Sequence, residues 1–342
     1  MACAPWYFGR MTTLRTLAAF ALLPLAACAT PPAETDAALV DASAPADAGE
    51  GDGGDDAGRR RDAGGDAGPS PVEVFADVGS TTEGIALGAT PDGTPVLYVG
   101  AADDRIVRVD AAGVVSDFVS IDGPVGLSVR RDGTLLVCAK LPAAMGGAPA
   151  IFTVTPDGVV TPIVTAAPGG APFGLTNFVT EAPDGSIVFS DSAGDALYRA
   201  DADGSHVALV AAISYANGLA FSPDGTTLYV ASWDTQTLHA IAFDPATGTY
   251  GARTTAHEGV SGVDGLVTTS TGAIVLVTST LGILLVDPTA PTAEPTTLLA
   301  GRALALPANG VFGDAAFGIH DVFLSSLGRQ TIFVLHTDLA GP

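Results

Sequence analysis

The chain of 342 residues contains a single lysine (Lys140), three cysteines and only 6% aromatic residues. Each scarcity excludes something. With 14 Lys and Arg against 37 Asp and Glu, the formal charge is −23. Such a surface repels nucleic acid phosphates and anionic membranes, so neither is expected as a partner. Three cysteines cannot build a disulfide framework. The apolar run at 17–27 (LAAFALLPLAA) is eleven residues long, too short to span a bilayer as a helix. With 42 Gly and 24 Pro, coiled coils and long helices are excluded. What remains is 47% hydrophobic residues, mainly Ala, Val and Leu, suited to short strands joined by turns. The acidity itself is compatible with a hard cation such as calcium.

Residues 1–27 read as an export signal, with Arg10 and Arg15 ahead of the apolar run. Met11 is an alternative start. The run ends in Leu25-Ala26-Ala27-Cys28, which resembles the lipobox of bacterial lipoproteins. That resemblance implies cleavage before Cys28 and lipidation of its thiol; an ordinary secretory signal is the alternative. Ala29 is not the aspartate associated with retention at the inner membrane, so by the same analogy the outer membrane is favoured over a secreted or periplasmic location. Cys138, in the apolar run LLVCA, is expected to be a small buried hydrophobe. Residues 28–70 are rich in Ala, Asp, Gly and Pro and nearly free of large apolar side chains, so a disordered acidic tether is expected. Its arginine triplet at 59–61 reads as a solvated charge run.

Residues 71–342 form the expected folded domain, and internal repetition governs it. Residues 82–100 (TEGIALGATPDGTPVLYVG), 177–192 (NFVTEAPDGSIVFSDS), 217–232 (NGLAFSPDGTTLYVAS) and 264–279 (DGLVTTSTGAIVLVTS) share one plan. An apolar strand meets a turn, and a β-branched strand follows, ending in small residues. Weaker copies lie at 125–139 and 309–326. The phase-equivalent positions 83, 125, 177, 217, 264 and 309 recur at propeller-blade spacing. Two further strands per repeat give an all-β fold: a six-bladed β-propeller of four-stranded blades. A β-sandwich does not account for the six-fold phase. The last repeat ends one strand short, at 331–336 (TIFVLH), and residues 72–78 (VEVFADV) are expected to complete it.

The phase-equivalent residues precede the innermost strands and therefore converge at one end of the central channel. Among them Glu83, Asn177, Asn217 and Asp264 offer two carboxylates and two amide oxygens, a donor set for a divalent cation completed by water. Asn-Gly and Asp-Gly are also ordinary turn dipeptides, but four oxygen-bearing residues at one phase of different blades are more than turn chemistry requires. Calcium is expected, with another divalent cation possible; the tight octahedron of magnesium suits four separate loops less well.

At these residues the sequence resembles the gluconolactonase and senescence-marker-protein (regucalcin) propellers. The resemblance rests on Glu83-Gly84, the stretch NGLAFSPDGTTLYVAS from Asn217, and VDGL around Asp264, and it covers roughly residues 72–336. It implies a calcium ion held by Glu83, Asn217 and Asp264 with Asn177 close by, and hydrolysis of sugar lactones or other esters. It also suggests Asp264 as base and Glu83 as permanent ligand, with direct attack by Asp264 as the alternative. The third blade departs from the family's Arg-Pro-Asn-Asp: here Leu175-Thr176-Asn177-Phe178 stands. The sugar-contacting arginine is missing, and gluconolactone itself is not the expected substrate.

No Gly-x-Ser-x-Gly elbow occurs, and the five histidines fall in expected strands or distal turns. Residues just after each second strand should border the mouth, which makes Asp103, Lys140, Asp191, Trp233 and Thr280 candidate pocket residues. Residues 141–150 are a candidate lid and 166–176 a second wall. The expected protein is thus a monomeric, metal-dependent hydrolase of a small lactone or ester, touching a membrane only through a lipid anchor. A non-catalytic propeller that binds a ligand or protein partner is the competing class.

Overall fold

The computed structural model describes residues 71–301 and 304–342. The expected signal segment (1–27), the tether (28–70) and Cys28 lie outside the described residues. Within them, β-branched runs between polar turns form 24 strands, and no α-helix is present among the described residues.

The strands make six antiparallel four-stranded sheets. β1 (Val72–Asp77) comes first in the chain. Blade 1 is β2 (Thr82–Ala89), β3 (Pro95–Ala101), β4 (Arg105–Val109) and β5 (Val115–Ser120). Blade 2 is β6 (Leu127–Val129), β7 (Leu135–Lys140), β8 (Pro149–Val154) and β9 (Val160–Val164). Blade 3 is β10 (Thr176–Glu181), β11 (Ile187–Asp191), β12 (Ala196–Ala200) and β13 (Ala208–Ala212). Blade 4 is β14 (Ala216–Phe221), β15 (Thr227–Ser232), β16 (Thr237–Asp244) and β17 (Thr249–Glu258). Blade 5 is β18 (Val263–Thr268), β19 (Ile274–Thr278), β20 (Gly282–Val286) and β21 (Thr296–Ala300). Blade 6 is β22 (Pro307–Phe312), β23 (Asp321–Ser326) and β24 (Thr331–His336), and β1 is its outermost strand.

That last pairing is the closure expected from the sequence: Val72 lies opposite Leu335 and Asp77 opposite Thr331. It joins the two ends of the domain and leaves no blade incomplete. The Asp-Gly turns between first and second strands behave as their chemistry dictates. Gly185 and Gly225 take φ of 87° and 71°, a region costly for residues with a Cβ. The preceding Asp184 and Asp224 each accept a hydrogen bond from the amide two residues on, at 3.0 Å.

Six apolar clusters hold the ring, one at each junction between neighbouring blades. Tyr98 and Ile106 of blade 1 meet Leu135 and Val137 of blade 2, and Val188 and Leu197 of blade 3 meet Leu219 and Val230 of blade 4. Val275 and Val277 of blade 5 meet Val322 and Leu324 of blade 6. β1 brings Ala76 into the junction of blades 6 and 1, beside Leu97 and Phe323. Cys138 is fully buried in the cluster between blades 2 and 3; burial pushes its thiol well up, leaving it protonated and inert.

Candidate functional site

The inner strands begin irregularly, and the candidate residues sit at the irregularity. The register of the first strand against the second shifts between Thr82 and Ile85, Thr176 and Val179, Ala216 and Leu219, Val263 and Gly265, and Pro307 and Gly310. These bulges contain Glu83, Asn177, Asn217, Asp264 and Asn309. A bulge re-aims a side chain that regular pleating would send into the blade. Serines on second strands satisfy the freed amides: Ser190 Oγ accepts from Phe178 N and Ser325 Oγ from Asn309 N, both at 3.0 Å.

Glycine follows the site residue in five of the six repeats, and close approach of the inner strands explains it. A Cβ on Gly84 would collide with the Val125 carbonyl, one on Gly126 with the Asn177 carbonyl, and one on Gly218 with the Asp264 carbonyl. Blade 3 is the exception. Phe178 stands there and packs into the cluster between blades 3 and 4.

The four expected donors therefore occupy equivalent places around one channel end. Asn177, Asn217 and Asp264 are buried and Glu83 is half-buried. The Asn217 side chain lies near the Asp264 carboxylate and favours its charged form. The Oδ1 atoms of Asn177, Asn217 and Asn309 are buried and accept no hydrogen bond. What distinguishes these three from other unpaired buried polar atoms is that they recur at one phase of different blades. Burial, and then the charge of Asp264, push Glu83 up to about 8. Burial likewise pushes Asp264 up to about 7, against the lowering effect of Asn217. Two carboxylates that raise proton affinity together and amide oxygens without donors are what a cation would relieve, so this donor set fits a hard divalent ion. Among the described residues no three His, Cys, Asp or Glu side chains cluster; the set here pairs two acids with amides.

The expected wall residues fare differently. Trp233 and Thr280 meet around Gly262, just before β18: a Cβ on Gly262 would be 3.1 Å from Thr280 Oγ1 and 3.8 Å from Trp233 Cη2. Lys140 is exposed, its stem lying along Gly123. Asp103 pairs with Arg105 at 2.9 Å. The buried Asp191 carboxylate is occupied within the fold: it accepts from the amides of Gly174, Leu175 and Gly194, at 2.6–3.2 Å. With Phe173, wedged edge-on against Phe189 and Tyr198, it makes the wall before Asn177 rigid. The candidate lid carries a short 3-10 turn (Ala143–Met145) with Met145 exposed.

Sequence reasoning missed Tyr215. It stands two residues before Asn217 with φ of 43°, its amide donates to Asp195 Oδ1 at 2.8 Å, and its ring lies 6.4 Å from that of Trp233. The signal was faint, since only a bulky residue in the left-handed region marks it. A recess of about 320 Å³ between blades 3 and 4, lined in part by Asp195, Ser214, His239 and Arg253, lies apart from the oxygen donors.

The family described as the SMP-30/Gluconolactonase/LRE-like region matches residues 83–292, more than half of the chain. A gluconolactonase from Xanthomonas campestris superposes with a TM-score of 0.63 at 22% identity, over 78% of this chain and 89% of that one. A calcium-binding regucalcin from Agrobacterium tumefaciens gives 0.61 at 17% identity, over 79% and 94%. Virginiamycin B lyase from Staphylococcus aureus gives 0.54 at 13% identity, over 78% and 98%. At these identities the likeness is one of fold, and the lyase shows that the fold hosts other chemistry. Comparison with curated proteins gives no match.

Proposed function

The chain belongs to the SMP-30/gluconolactonase/LRE-like family, and from that premise we propose that it is a calcium-dependent hydrolase of lactones or related esters. The observation that carries this reading is the set of buried oxygen donors at the inner-strand bulges: Glu83 and Asp264 with the orphaned amide oxygens of Asn177 and Asn217.

Calcium, when bound, supplies Lewis acidity toward a substrate carbonyl oxygen. The protein's own residues do the rest. Glu83 and Asp264 provide the charge that balances a divalent ion. Asn217, beside Asp264, favours the charged form of the Asp264 carboxylate. Asp264 takes the proton of an attacking water at its free carboxylate oxygen, a base role its buried position suits. Trp233 borders the approach from blade 4, Thr280 from blade 5, and the wall pinned by Asp191 from blade 3. Because Leu175 and Phe178 stand where the family's third blade offers charged residues, the reading favours a lactone or ester less polar than a sugar lactone.

The cell envelope is the proposed location, with a lipid on Cys28 and residues 29–70 as the spacer. Residue types in that segment are the support for this part of the reading.

The decisive experiment uses the full chain with a panel of γ- and δ-lactones and aryl esters, in calcium and in chelator, beside Glu83→Ala and Asp264→Ala. Calcium-dependent turnover abolished by both substitutions is expected. Absence of calcium binding, or turnover indifferent to either substitution, would sink the reading.

A further inference from the structure

We propose that Asn309, on the inner strand of blade 6, is a positioning residue that links the two carboxylate-bearing blades and presents a fifth oxygen donor to the cation. The inference rests on the reading of the channel end as a calcium site.

Blade 6 lies between blade 5, which carries Asp264, and blade 1, which carries Glu83. Asn309 occupies its bulge and is only 2% exposed. Its Nδ2 donates to the Glu83 main-chain carbonyl at 3.2 Å. The same carbonyl accepts from Ser325 Oγ, and Ser325 Oγ in turn receives the Asn309 amide at 3.0 Å. Two side chains from β22 and β23 thus grip the backbone of Glu83.

The grip also fixes the amide's orientation. A carbonyl oxygen cannot face the Glu83 carbonyl, so Nδ2 must point there and Oδ1 must point away. That Oδ1 is buried and accepts no hydrogen bond. It lies against Gly265, the residue after Asp264, in space that a Cβ on Gly265 would fill. One side chain therefore reaches from the backbone of the first carboxylate to the neighbourhood of the second. Like charges in a shared buried site drive each other apart, and a rigid amide between their blades holds them at a spacing set before the ion arrives.

Calcium titration of the full chain by calorimetry, with melting in chelator to monitor folding, tests this. Asn309→Ser, too short for either contact, is expected to bind calcium about 10- to 100-fold more weakly. Asn309→Leu keeps the volume but loses both the Nδ2 donor and the oxygen, so it is likewise expected to bind calcium more weakly than the unaltered chain. Unchanged affinity in Asn309→Ser overturns the inference; if that variant does not fold, unchanged affinity in Asn309→Leu overturns it. Glu83→Gln serves as the reference. If the unaltered chain binds no calcium, or Glu83→Gln binds as well as it does, the calcium reading itself falls and the inference falls with it.

Discussion

Burial, and after it the charge of Asp264, raises the proton affinity of Glu83 at the channel mouth, although Glu83 stands in blade 1 and Asp264 in blade 5. The pair is held charged only at a cost, and that cost sets the pH behaviour of the metal-free protein. Both carboxylates bind protons more tightly in the folded chain than in the unfolded one, Glu83 rising from 4.5 to about 8 and Asp264 from 3.8 to about 7. The stability they contribute is fully present below their unfolded values and is lost as pH rises through 7 to 8. Thermal melts in chelator should show stability falling between about pH 4 and pH 8, and saturating calcium should flatten the slope. A metal-free chain equally stable at pH 5 and pH 8 would contradict this.

Asp264→Asn removes one of the two charges while keeping the size of the side chain. In chelator at pH 8 the substituted chain should be more stable, by about 1–3 kcal/mol, because a buried like-charge pair is gone. Calcium should no longer raise its melting temperature. Denaturant titrations with and without calcium read both effects.

Asp191 should behave as a structural residue. Its buried carboxylate satisfies three backbone amides of two loops, so Asp191→Ala leaves those donors unpaired and should cost about 3 kcal/mol or more. Calcium affinity, measured below the lowered melting point, should change far less than in Glu83→Gln.

Ala76 tests the closure. It is 4% exposed, pairs with Ile332 and sits in the junction of blades 6 and 1. Ala76→Asp places an unpaired charge there and should cost about 3 kcal/mol or more. With β1 displaced, the edge of β24 is open to a second copy, and gel filtration should show dimers or larger species absent from the unaltered chain.

The fold was legible because repetition multiplies weak evidence. One apolar strand and its turn say little, whereas six copies in phase specify a ring, and the orphan strand at 72–78 found its partner by counting. Phase also assigned Glu83, Asn177, Asn217 and Asp264 to equivalent positions, which the structure places at equivalent inner-strand bulges. It gave no means of separating Asp191 from Trp233. Both follow a second strand, and only the aim of the amides of Gly174, Leu175 and Gly194 shows that Asp191 is occupied. Tyr215 and the grip of Asn309 on Glu83 were hidden for the same reason. They depend on a positive φ and on contacts between residues at opposite ends of the chain, which no local pattern encodes.

The clasp between β1 and β24 also dictates when the protein can finish folding. β1 has no partner until β24 has been synthesised, so the ring cannot close before then. Blades 1 to 5 are local four-stranded units able to form in order as they emerge, but blade 6 must recapture a segment separated from it by the rest of the domain. That step has the highest contact order and the largest loop to close. It is the step at which the nascent chain most exposes an unpaired apolar edge.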